Sequence, residues 1–294
     1  MHKIFLLPLL IALALSFASC SKKEERLKVS ATTWIGYSPL YYAEEKGWLE
    51  YLDVELLHVS SLSENLYLYE AGNSDAYVGT QYEYGVLAKK DATLAPIMLF
   101  DRSNGGDVVM SNVSVESLAQ SEGPIDAYLE MDSINVVMLK DFLQSRDLQS
   151  KSVNYINHDQ ATISILDATN LKNPTIVVTY IPYDTQLKKQ GFVTLASTKD
   201  NLNILVLDAL FTNKKTFNEH KNQFAALKIA VDKAVSALEK DPKEFYETIK
   251  PYVLEISYED FLDSLNGIVW INKNVPEALQ KRMKESSFPV GDLI

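Results

Sequence analysis

Several turns of this 294-residue chain set aromatic rings beside carboxylates. Trp34, Gly36 and Tyr37 follow the strand-like alternation Leu27 to Thr32 and precede Pro39, which suits the first turn of a helix. Gly36 permits close backbone approach, and the two rings can stack on a small molecule or wall it in. Gly79-Thr80-Gln81-Tyr82 ends a short apolar run and opens a helix, where backbone N–H groups suit a polar oxygen and Thr80 also suits the cap. Asp101, Asn104 and Asp107 flank Gly105-Gly106, either as a tight turn or as acids for a cationic group. Glu130 stands at a strand-to-helix turn, and Tyr183 follows Pro182 at another, ahead of Asp184. Plainer readings stand beside these: Trp34 as hinge core, Glu130 as a solvated rim charge. Gathered in one cleft, Trp34, Tyr37, Tyr82 and Tyr183 with Asp101, Glu130 and Asp184 suit a ligand bearing an amine or a heteroaromatic ring.

Other chemistries lack their residues. The four histidines, His2, His58, His158 and His220, are far apart, and Cys20 is the only cysteine. No Cys/His metal cluster, no cofactor and no internal disulfide is expected. There is no Gly-x-Ser-x-Gly, phosphate-binding Gly-rich loop or His-Glu-x-x-His, so no catalytic residue is assigned. The arginines are only Arg26, Arg102, Arg146 and Arg282, few for clamping a doubly charged phosphonate. A formal charge of -11 argues against nucleic acid as a partner. The 16 tyrosines suit a surface that grips apolar groups while offering hydroxyls.

The elements that would position these turns alternate. Strand-like runs at Leu27 to Thr32, Val54 to Val59, Ala76 to Val78 and Ala95 to Phe100 are separated by helical stretches from Pro39, Ser61 and Gln81. The pattern restarts after Met110 with strands at Ile125 to Leu129, Val153 to Ile156, Thr175 to Tyr180 and Phe192 to Leu195, and helices at Asp132 to Arg146, Asp159 to Ala168 and Tyr183 to Gln190. Ile204 to Leu210 is strand-like, and from Lys214 onward the chain reads as nearly all helix. This predicts an α/β fold of two lobes, each a parallel sheet with helices on both faces. Residues 27–110 and 204–294 would form lobe one, and residues 111–203 lobe two, with crossings near Met110 and Asn203. Ligands of such sheets bind beyond the carboxyl ends of the strands, which is where the aromatic turns fall.

The N-terminal segment is an address. Lys3 precedes an apolar run from Ile4 to Phe17, too short to span a bilayer comfortably, and Phe17-Ala18-Ser19-Cys20 leads into the polar tether Ser21 to Arg26. It resembles a bacterial lipoprotein signal, which implies cleavage after residue 19 and lipid on Cys20; an ordinary secretory signal is the alternative. Either way the mature chain works outside the cytoplasm, and loss of Lys3 takes its charge from -11 to -12.

The motifs Thr33-Trp34-Ile35-Gly36-Tyr37-Ser38-Pro39, Glu70-Ala71-Gly72-Asn73-Ser74-Asp75-Ala76, Asp101 to Val109 and Ile181-Pro182-Tyr183-Asp184 resemble those of ABC-importer solute-binding proteins of the nitrate, taurine, alkanesulfonate and thiamine-precursor group. Ser114 to Pro124 departs from the Asp-Leu-x-Gly-Lys stretch usual ahead of their second lobe. The resemblance implies a two-lobed periplasmic-binding-protein fold with a helical C-terminal segment. It implies capture of a small organic molecule and delivery to permease and ATPase subunits, with the chain anchored at the cell envelope by its lipid. A sensor subunit docking on a membrane signalling protein would use the same clamp. An exported enzyme on this fold is the third reading, and the residues offer it no catalytic constellation.

Overall fold

The computed structural model describes residues 26–294 apart from 201, 203, 255, 287, 290 and 292. The signal segment, most of the tether, Cys20, and Asn201 and Asn203 of the second crossing therefore lie outside the described residues. Among the described residues no helix is long and apolar enough to cross a membrane.

Eleven strands are described: β1 (Leu27–Ala31), β2 (Val54–His58), β3 (Ala76–Thr80), β4 (Leu94–Ser103), β5 (Asp107–Ser111), β6 (Ile125–Leu129), β7 (Val153–Asn157), β8 (Thr175–Tyr180), β9 (Val193–Ser197), β10 (Leu207–Asn213) and β11 (Ile268–Trp270). They form two sheets, ordered β11-β4-β10-β3-β1-β2 and β7-β6-β8-β5-β9. The two-lobed α/β fold with two crossovers is as expected, and the C-terminal segment returns to the first lobe. Two details differ.

The sheets are mixed, not parallel. β1 pairs parallel with β2 and β3, and β6 with β7 and β8, but β10 is antiparallel to β3 and β4, and β5 to β8 and β9. The edge strand β11 is antiparallel to β4 as well, and the other two reversed strands, β5 and β10, are those that arrive from the other lobe. A chain crossing the cleft enters at the end where the parallel strands finish, so it must run against them. Second, β5 belongs to the second sheet, so Asp107 to Met110 leaves the expected lobe one and the first crossing falls at 104–106. In the sequence the stretch Asp101 to Asp107 separates two apolar runs, and nothing in it shows that they belong to different sheets. Smaller differences follow from length: the stretch after Asp159 holds one turn and a half of helix (Gln160–Ser164), and the three-residue β11 interrupts the helical tail.

Serine and threonine caps bring helix starts to the cleft. Ser61, Thr80 and Ser133 accept from the N–H groups of Glu64, Tyr82 and Asn135, opening α2 (Leu62–Glu70), α3 (Gln81–Leu87) and α4 (Ile134–Ser145). α1 (Ser38–Glu45), with Pro in its first turn, packs against the long helix Lys221–Lys240, whose Phe224, Leu227, Val231, Ala234, Val235 and Leu238 form one buried stripe. The cores interlock: Tyr180, Ile181 and Tyr183 of the second lobe join the large core of the first, while Leu62 and Val206 join the core of the second.

The crossings lie side by side and are hydrogen-bonded. Ser103 N–H donates to Val206 O at 3.1 Å, Thr198 N–H to Asp107 O at 3.0 Å, and Asn104 N–H to Gly267 O at 2.7 Å. Gly106 has no room for a side chain, since a Cβ there would stand 2.5 Å from Trp34 Cη2 and 2.9 Å from Gly267 O.

Candidate functional site

Turns at the carboxyl ends of β1, β3, β6 and β8 meet β5 and β10 around one buried cavity. Thr32, Trp34, Tyr37, Leu62, Thr80, Asp107, Ile134, Tyr180, Val206 and Asp208 line it. The volume open to the centre of a water molecule is about 10 Å³, so the lobes are closed on space for roughly one water.

Of the sequence-derived candidates, Trp34, Tyr37, Thr80 and Asp107 meet at this cavity. Trp34, 5 % exposed, sets its ring edge-to-face on Tyr180 at 5.8 Å, and its indole N–H donates to Asp101 Oδ1 and Oδ2 at 3.3 and 3.4 Å. Asp101 is thus buried behind Trp34. Gly36 lets them meet: a Cβ there would lie 2.0 Å from Asp101 Oδ2, so the group using its close approach is this carboxylate. Tyr37 is buried, packs edge-to-face on Phe100, and donates its hydroxyl to Asp208 Oδ1.

The remaining candidates lie around the cavity. Tyr183 reaches across the lobes, its hydroxyl 2.6 Å from Thr33 Oγ1, and packs edge-to-face on Tyr180. Gln81 ties α3 to the second crossing by donating to Leu205 O and accepting from Leu207 N–H at 3.0 Å. Tyr82 is half-buried against the second lobe's core. Asn104 faces a separate groove with Asp184 and Lys188, and accepts from Arg102 at 2.9 Å. Asp184 pairs with Lys188 at 2.7 Å.

Glu130 is no rim charge; it is 1 % exposed. Its Oε2 accepts from the N–H of Leu62, the first residue of α2 in the other lobe, at 2.9 Å, and its Oε1 accepts from Tyr180 at 3.4 Å. The reverse contact exists as well. Glu83 of α3 accepts from Ile134 N–H, the first residue of α4, at 3.1 Å, and from Thr80 N–H at 2.8 Å. Each lobe therefore places a carboxylate on the positive end of a helix of the other. Ser63, donating to Met131 O at 2.8 Å, and Tyr67, bonded to Asp132, extend this closed contact.

Burial dominates the electrostatics. It pushes the Asp107 carboxyl up to about 7, against the hydrogen bond from Ser103 and with the help of Glu83. It pushes Glu130 up to about 8, against the Leu62 N–H. Burial likewise raises Glu83, Asp101 and Asp208, the last also through the charges of Asp101, Asp107 and Glu83.

Sequence reasoning missed Thr32, Leu62, Ile134, Tyr180, Val206 and Asp208. Asp208 left a signal: it is the only charged residue in the apolar run Ile204 to Phe211, and a lone acid within a strand is either edge-exposed or buried for a purpose.

Two mixed sheets, joined by paired crossings and closing on a buried cavity, define a two-lobed periplasmic-binding-protein fold. The family model described as NMT1/THI5 like matches residues 34–245, and the chain belongs to that family. Solved structures share the fold at low identity. The ligand-binding component of an ABC-type import system from Staphylococcus aureus, with zinc bound, has a TM-score of 0.70 at 12% identity, over 90% of this chain and 92% of that one. The periplasmic aliphatic sulphonate-binding protein SsuA from Escherichia coli has a TM-score of 0.68 at 13% identity, over 90% of each chain. The periplasmic nitrate-binding protein NrtA from Synechocystis PCC 6803 has a TM-score of 0.62 at 16% identity, over 85% of this chain and 74% of that one. No curated protein matches the sequence.

Proposed function

We propose that this protein is the lipid-anchored solute-binding component of an ABC importer. It captures a small organic molecule, amine-bearing or heteroaromatic, between its lobes outside the cytoplasm and presents the closed form to the permease. The observation that carries this reading is the cavity: buried, walled by Trp34, Tyr37 and Tyr180, and built where strand ends of both sheets meet. Ligand groups there would contact both lobes at once, so binding energy favours closure. Capture rather than turnover fits the lining, which includes no histidine or cysteine. The neighbours described as sulphonate- and nitrate-binding proteins support the role and not the ligand.

Native mass spectrometry of gently extracted protein is expected to show one small-molecule adduct that leaves on denaturation. A thermal-shift panel of sulfonates, amines, pyrimidines, flavins and polyamines is expected to raise the melting temperature for one class, a ligand at a hundred times its dissociation constant adding roughly 2.7 kcal/mol. Bare protein with no shift from any class refutes capture. For the anchor, intact-mass analysis should find acyl chains on an N-terminal Cys20, and a Cys20→Ser chain that stays on the membrane refutes it.

A further inference from the structure

The cavity is unbalanced in hydrogen bonding. Three buried side-chain oxygens on its lining residues have no partner: Thr32 Oγ1, Asp107 Oδ2 and Asp208 Oδ2. Apart from the Thr32 hydroxyl, which can donate as well as accept, the donors of the same wall are already engaged. Trp34 donates to Asp101, Tyr37 to Asp208, Thr80 to Glu83 and Tyr180 to Glu130. Tyr37 holds Oδ1 of Asp208 and so leaves Oδ2 as the free oxygen.

The imbalance extends to charge. Five buried acids, Glu83, Asp101, Asp107, Glu130 and Asp208, surround the cavity, and the ionised groups acting on them are one another and Asp159. Buried charges without counter-charges are costly, and burial accordingly raises all five acids toward the neutral form in the empty cavity; a bound cation would favour their ionised forms. One water can accept from Thr32 and donate to both carboxylates, but it brings no charge to a cluster of acids.

The cleft also turns anions away. Three helix starts face it: Glu130 and Glu83 occupy those of α2 and α4 from within, and Thr80 with Glu83 caps that of α3. A metal ion is a poor candidate as well: among the described residues no group of three or more His, Cys, Asp and Glu is placed to hold one.

Building on the solute-capture reading, we propose that the ligand is an organic cation whose protonated amine sits among Thr32, Asp107 and Asp208, the lobes parting from this closed form to admit its carbon skeleton against Trp34 and Tyr180. An ammonium carries donors for Asp107 Oδ2, Asp208 Oδ2 and a lone pair of Thr32 Oγ1, and it supplies the positive charge that the surrounding acids lack. The ring walls favour the same charge by cation–π attraction. Asp208 is the specificity-determining residue: it is fixed in β10 of the first sheet opposite Thr80 and bonded to Tyr37, while Asp107 belongs to β5 of the second sheet, so a ligand cation held by both carboxylates would bridge the lobes.

The test uses the full-length protein in detergent at pH 7.5 and matched ionic strength. The probes are methyl, butyl and benzyl skeletons, each as the amine, the alcohol and the sulfonate, read by thermal shift and calorimetry. The amines alone should raise the melting temperature, and Asp208→Asn should weaken the best of them at least tenfold. Without ligand, Asp208→Asn should melt no lower than the parent at pH 8, because it removes a carboxyl whose ionisation burial and the neighbouring acids oppose while keeping an acceptor for Tyr37. Asp107→Asn provides a second, independent loss of amine binding should Asp208→Asn fail to fold. Sulfonates or alcohols binding as well as amines overturn the cation assignment and leave capture standing. Amine binding unchanged in both variants overturns the placement. No shift from any probe counts against both the assignment and the capture reading.

Discussion

Raising the pH should open the empty cleft. In the closed form burial lifts Asp107 to about 7 and Glu130 to about 8, from ordinary values of 3.8 and 4.5. In an open form both carboxyls are hydrated and return toward the ordinary range. The closed state then holds more protons than the open state throughout the interval, so closure is favoured at low pH and loses that support as the pH climbs through 7 and 8. At 1.36 kcal/mol per pH unit, going from pH 6 to pH 8.5 removes ~2.5 kcal/mol through Glu130 and ~1.5 kcal/mol through Asp107. Together that is about 4 kcal/mol, roughly a thousandfold in the ratio of closed to open molecules. The acids facing these two groups, Glu83 for both and Asp159 for Glu130, act in the same direction. Small-angle scattering on ligand-free protein should show the radius of gyration rising across this interval, and Glu130→Gln should remove the larger part of the rise. A radius that stays flat from pH 6 to 8.5 would refute the argument that buried, uncompensated acids set the closure equilibrium.

Two further outcomes concern packing. Trp34→Phe keeps a ring on Tyr180 but removes the one side-chain donor to Asp101, and should cost about 1–3 kcal/mol at pH 8 for a buried acceptor left bare. Trp34→Ala adds a cavity and should cost about 3–5 kcal/mol; chemical denaturation measures both, and equal costs for the two variants would contradict the assigned role of the indole N–H. Gly106→Ala sets a methyl 2.5 Å from Trp34 Cη2, and should lower stability by about 1–3 kcal/mol through overpacking at the hinge, read as melting temperature. An unchanged melting point would mean that the crossing yields more easily than the contact with Gly267 O implies.

Much of the layout was legible because apolar periodicity and cap residues are local signals. The alternation before Thr32, the Pro of α1 and the Ser or Thr at each cleft helix stand in the sequence as they act in the structure. Strand direction is not local, so the reversal of β5 and β10 could not be read: the same apolar run serves a strand pointing either way. The site was legible in part for the same reason. Trp34 and Asp107 lie in turns that announce themselves, whereas Asp208 lies within a strand and Leu62 contributes through its backbone. The acid-to-helix contacts of Glu83 and Glu130 join residues 51 and 68 positions apart, and nothing in either neighbourhood of the sequence points to the other.

Because the chain leaves the first sheet and rejoins it at neighbouring points, the second sheet stands in the sequence as a parenthesis. Everything between Asp107 and Ser197 that belongs to β5 through β9 opens and closes within it. Gene rearrangement can lengthen, shorten or exchange such a clause without rethreading the sentence around it. The inserted text is answerable to its surroundings at few places: the glycine contact at the hinge, the acid that caps a foreign helix, and the helix that receives one in return. A lineage of such proteins can thus inherit its frame from one ancestor and its vocabulary of ligands from revisions confined to a single passage.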